Sequence, residues 1–112
     1  MKDRILNILK DQGGSSIPEL LEELGEEARG DLTLIYNGDP NQLLWINLSA
    51  EFVDAMTALQ DAGRITGGLV GWPLCLVLGG GLSFPIAKQP GRKGGYKKPR
   101  WVPAVFTATS VA

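Results

Sequence analysis

Residues 88–100 hold the side chains best suited to a functional role. Lys88, Arg92, Lys93, Lys97, Lys98 and Arg100 bring six positive charges, Gly91, Gly94 and Gly95 bring backbone freedom, and Tyr96 brings a ring, with no acid among them. The chemistry this pattern serves is binding rather than bond making. Lysine and arginine displace counterions from a phosphate backbone, glycines admit close approach of the main chain, and an aromatic ring can stack on a base or sugar. The same charges could instead only keep a sheet-edge loop from aggregating. Six cations without one acid exceed what edge protection requires.

Catalytic chemistry has few candidates. The chain has no histidine, the commonest general acid–base and a frequent metal ligand. Its one cysteine, Cys75, lies in Leu74-Cys75-Leu76-Val77-Leu78, where a buried, inert thiol is expected. Gly79-Gly80-Gly81 lacks the Gly-Lys-Ser/Thr that would complete a phosphate loop. Glu22, Glu23, Glu26 and Glu27 point in different directions around a helix and read as a solvated acidic face, not a metal site. No enzyme activity, metal or cofactor is expected. A single cysteine cannot form an internal disulfide, and Met1-Lys2-Asp3-Arg4 does not begin a signal peptide, so the expected location is the cytoplasm.

The elements that must position the basic segment read as helices first and strands after. Met1, Ile5, Ile8 and Leu9 recur at helical spacing up to Gly13-Gly14. Ser16-Ile17-Pro18-Glu19 forms a capping-box pattern ahead of Leu20, Leu21 and Leu24. The period then changes to alternation at Leu32, Leu34 and Tyr36 and at Leu44, Ile46 and Leu48, across the turn residues 37–41, which predicts a hairpin over about 31–48. Ser49 can cap a third helix with Phe52, Val53, Met56, Leu59 and Ala62 on its apolar stripe, ended by Gly63. Beyond a break at Gly67-Gly68, the apolar runs 74–78, 82–87 and 101–108 predict two or three strands of a small antiparallel sheet. Trp45, Trp72 and Trp101 fall in or beside these strands as core rings, with Trp101 also able to flank a nucleic-acid path if it faces outward. Tyr36 is read as structural.

Charge divides the chain more sharply than its net of −1 suggests. Residues 1–63 carry four basic and twelve acidic side chains, and residues 64–112 carry seven basic and none acidic. Such asymmetry points to a polyanionic partner for the basic half and leaves the acidic half for a basic protein or for a second copy of the chain. At 112 residues one domain is expected, an acidic helical part over 1–63 and a basic strand-rich part over 64–112. Ile65 to Ala87 runs without a charge for the length of a membrane span, but its glycines and prolines would leave backbone groups unsatisfied in lipid, so no membrane partner is expected.

Two helices, a Ser-capped third helix ending in Leu59-Gln60-Asp61-Ala62-Gly63-Arg64-Ile65, and strands around a basic loop resemble the winged-helix family. The resemblance implies an α+β domain of three helices with residues 88–100 as the wing, and a DNA-binding, regulatory role. The usual tight turn between the second and third helices is replaced here by residues 25–48. The outward positions of the third helix include Glu51, Asp54, Thr57, Gln60 and Asp61, with no cation from Ser49 to Gly63, so that face would repel a duplex. Thr57 and Gln60 could still read base edges. The expected binding residues are therefore Lys88, Arg92, Lys93, Tyr96, Lys97, Lys98 and Arg100, with Arg64 in support. The alternative is a protein-interaction module, an inhibitor or adaptor, that uses its acidic helical face, and a homodimer fits either reading.

Overall fold

Helix α1, Lys2–Gln12, buries Ile5, Leu6 and Leu9 on one face and ends at Gly13 in a left-handed cap. Helix α2, Ile17–Leu24, starts on a complete capping box: Ser16 accepts from the Glu19 amide while the Glu19 carboxylate accepts from the Ser16 amide. Two amide donors that the helix start would leave without partners are thereby satisfied. A 3-10 turn at Gly25–Ala28 leads into β1, Arg29–Tyr36, which pairs antiparallel with β2, Asp39–Leu48. Helix α3, Ala50–Asp61, is capped by Ser49, whose hydroxyl accepts from the Phe52 amide at 3.1 Å and donates to the Glu27 carbonyl at 2.8 Å. That second bond ties the start of α3 to the turn that closes α2. Strands β3, Ile65–Leu69, β4, Arg100–Trp101, and β5, Ala104–Ala108, follow. The computed structural model describes residues 1–36, 38–69, 82, 84–88, 90 and 95–109.

These elements form an α+β domain of three helices and a small mixed set of sheets, with a radius of gyration of 13.2 Å. That value matches the ~13 Å of a compact chain of this length. One sheet has the order β1-β2-β4; the other pairs β3 with β5 antiparallel. Ser15 extends the second sheet on the far edge of β5 by exchanging both backbone hydrogen bonds with Phe106, at 2.9 and 2.8 Å. The core lies among the three helices, the hairpin and β5, with Ile5, Leu20, Phe52, Met56 and Phe106 almost fully buried.

Three expectations for the strand-rich half are corrected. First, the sheet is mixed, because β4 runs parallel to β2 through Gln42↔Arg100 and Leu43↔Trp101. The apolar run 101–108 does not continue as one strand: Pro103 has no N–H to donate, and the chain crosses there from the hairpin's sheet to β3. Second, Gly67 and Gly68 lie within β3 rather than breaking it. Gly67 stands opposite Phe106, and a β-carbon at Gly67 would lie 2.9 Å from the Phe106 ring. The glycine leaves room for that ring against the strand backbone. Third, residues 84–87 make only a single bridge, Ile86↔Trp101, and no strand. Pro85 has no amide to offer a ladder. The run 74–78 with Cys75, the Gly79-Gly80-Gly81 turn and Trp72 lie outside the described residues.

The hairpin is present at the expected place, but its inward face differs from simple alternation. Leu34, Leu44 and Leu48 are buried, whereas Leu32 is 42% exposed. Register shifts along β1–β2, including Leu48 facing both Arg29 and Leu32, rotate successive side chains out of strict alternation. No helix among the described residues is long and apolar enough to cross a membrane.

Candidate functional site

The described part of the basic segment is fastened to the tip of the hairpin. Asp39 Oδ2 accepts from the Tyr96 amide at 3.0 Å and from Gln42 Nε2 at 2.9 Å, while Oδ1 accepts from the Asn41 amide at 2.9 Å. Asn41 Nδ2 donates in turn to the Tyr96 carbonyl at 2.7 Å. Both polar groups of the Tyr96 backbone are thus held by hairpin residues more than fifty positions earlier. Gly95 makes the approach feasible: it has φ +70°, and a β-carbon there would lie 2.7 Å from Asp39 Oδ2. The hydrogen bond from Gln42, then that from Asn41, with a further one from Tyr96, lowers the Asp39 pKa below its ordinary 3.8 against the opposing effect of burial.

From this anchorage Lys97 and Lys98 project as exposed cations, and Lys88 is exposed on the approach to the segment. Arg100 behaves differently. It is partly buried, pairs from β4 with Gln42 of β2, and holds its guanidinium 5.6 Å from the centre of the Tyr96 ring, a cation–π contact. Tyr96 is itself partly buried and packs against the core. Trp101 is 4% exposed and does not face outward as a flank for a bound strand. Burial beside Leu43, its partner across β2 and β4, accounts for this. Trp45 and Tyr36 pack against the core. Arg92 and Lys93 lie outside the described residues.

The remaining expected residues are dispersed. Arg64 opens β3 at the end of the β3–β5 ladder where Ile65 meets Ala108, whereas the basic segment joins that ladder through Ala104 at the other end. Thr57 is exposed and Gln60 half-buried; both line a groove of about 300 Å³ between α3 and β1. Gln60 Nε2 donates to the Met56 carbonyl of its own helix at 3.2 Å. The hairpin therefore flanks the face of α3 that Thr57 and Gln60 share. Glu51, Asp54 and Asp61 are exposed along the helix. Glu22, Glu23, Glu26 and Glu27 are exposed too, and Glu27 pairs with Arg4 at the surface.

The anchoring role of Asp39 and Asn41 escaped sequence reading. In the sequence they are ordinary turn residues, and only the glycine beside Tyr96, which permits close backbone approach, hints that something comes near there. Comparison with known proteins found no matching family model, no matching curated protein and no matching solved structure.

Proposed function

We propose that the protein binds nucleic acid, duplex DNA in particular, through the basic segment 88–100, as a winged-helix-like regulatory module. The observation that carries this reading is the anchorage of an acid-free cationic segment: its backbone is held at Tyr96 by Asp39 and Asn41, while Lys97 and Lys98 remain exposed. A held backbone reduces the ordering cost of bringing several cations to phosphates at once. The winged-helix reading is supported by the order α1, Ser15, α2, α3, β3, β5, with β5 between Ser15 and β3 in the sheet. In this reading the hairpin is an insertion that braces the wing. Electrostatic clamping, not base reading by α3, is the mechanism, because the exposed side of α3 is acidic and its Thr57–Gln60 face borders the hairpin.

Titration of fluorescent mixed-sequence duplex at several salt concentrations tests the proposal. Four phosphate contacts would give a log–log salt slope of about −3.6, from counterion release. A variant with Lys88, Arg92, Lys93, Lys97, Lys98 and Arg100 all changed to Gln should lose most of its duplex affinity and most of the salt slope. Absence of binding by the folded wild type at low salt would overturn the reading. It would favour the second one, a protein-interaction module, whose supporting observation is the exposed acids Glu51, Asp54 and Asp61 along α3, the last of them lining the α3–β1 groove.

A further inference from the structure

A second set of cations gathers at the opposite end of β5. Four residues separate Ala104 from Ala108, about 13 Å along the strand at ~3.3 Å per residue. There, between the last turn of α1 and the paired ends of β3 and β5, opens a cleft of about 510 Å³. Lys10 and Arg64 reach it from elements more than fifty residues apart, Thr107 and Thr109 add hydroxyl-bearing side chains, and Leu6 and Leu9 give it an apolar wall. Among the described residues that line it there is no carboxylate.

The framework of this cleft is well tied. Thr109 donates from its amide to the Arg64 carbonyl at 3.0 Å and from its hydroxyl to the Gly63 carbonyl at 2.7 Å, joining the exit of α3 to the end of β5. The Arg64 amide donates to the Leu59 carbonyl at 2.9 Å, which fixes the backbone from which its side chain extends. Across the cleft, α1 closes with the Gly13 amide on the Leu9 carbonyl. The helix macrodipole favours a cation in the last turn and so accounts for Lys10 by itself. It does not account for Arg64 meeting Lys10 across one cleft, where neither has an ion-pair partner among the described residues. Both positive charges border the same cleft, so an anion seated there would be attracted by the two together.

We propose that this cleft binds a phosphoryl group, with Lys10 and Arg64 supplying the charge and the leucine wall accommodating the organic part of an ester. Arginine offers paired donors to phosphate oxygens and lysine a compact point charge. The volume lies in the range of small-ligand sites, roughly 300–1,000 Å³. The phosphoryl group can come from a free phosphate ester or from a nucleic-acid backbone that reaches this end of the molecule.

The full-length chain, labelled with ¹⁵N, would be titrated at constant ionic strength with inorganic phosphate, a nucleoside monophosphate and a short duplex, following the amides of Gly13, Thr107, Ala108 and Thr109. Saturable shifts with phosphate and stronger ones with the monophosphate support the site and identify a free ester. Shifts at these amides with duplex alone support it with the backbone as the source. Lys10→Gln and Arg64→Gln should each weaken binding roughly tenfold, the effect of one charge-assisted hydrogen bond, and both side chains are exposed, so the fold should persist. Absence of saturable shifts with all three probes, or shifts unchanged in the double variant, would overturn the proposal. Duplex binding through residues 88–100 is read separately by the six-glutamine variant, so either idea can fail alone.

Discussion

Asp39 accepts three hydrogen bonds and is the residue through which the hairpin grips the basic segment. Its consequence for binding has a sign that separates two explanations. Loss of an acid beside a cationic segment should, by Coulomb's law alone, strengthen attraction to a polyanion. If Asp39 positions the segment, Asp39→Asn should instead weaken duplex binding about threefold to tenfold, the cost of ordering one released side chain or so. Fluorescence anisotropy at one salt concentration decides the sign. The pH dependence follows from the lowered pKa. A carboxylate depressed in the folded state contributes stability that is present above its unfolded value and lost as pH falls through the folded one. The contribution of Asp39 should thus be intact at neutral pH and fade below its ordinary 3.8. Acid titration of thermal stability should fall less steeply in Asp39→Asn than in the wild type. Gly95→Ala places a β-carbon 2.7 Å from the same carboxylate at φ +70°. A loss of about 1–2 kcal/mol is expected from the left-handed backbone, seen as a drop of several degrees in Tm.

Among the elements, α3 is tied to its surroundings at its first turn. Ser49 both caps α3 and bonds the Glu27 carbonyl, so one hydroxyl joins α3 to the turn after α2. Ser49→Ala should cost about 1–2 kcal/mol, the cap together with part of the second bond, measured by denaturant unfolding. Ser16→Ala removes the side-chain half of the capping box and should cost ~1 kcal/mol. The hairpin is the element that links the helices to the strand-rich half. It packs on α3 through β1, receives β4 along β2 and holds Tyr96 at its tip. It therefore couples α3 to the cationic segment, and a change that loosens the hairpin should disturb both.

For the molecule as a whole, cations occupy both ends of the β3–β5 ladder. The segment 95–100 approaches β5 through Ala104, and Arg64 with Lys10 sits by Ala108. Acids instead dominate the exposed positions of α2 and α3. A duplex that followed the cationic side would avoid the acidic helices, which explains why the salt slope, not a base preference, is the first quantity to measure.

Helix caps, helix ends and the hairpin were legible from residues alone because each is settled within a few positions: Ser16 reaches Glu19, Ser49 reaches Phe52, and β1 turns directly into β2. Charge segregation was legible for the simpler reason that counting needs no geometry. What required the tertiary structure is every pairing across long sequence separation. Parallel docking of β4 on β2 buries Trp101, Phe106 covers Gly67, Asp39 holds Tyr96, and Lys10 and Arg64 come to line one cleft. No local propensity encodes these contacts, because each depends on how the whole core brings distant backbone segments together. The sequence thus determined the helices, the hairpin and a cationic segment, and the packed chain decided what that segment is fastened to.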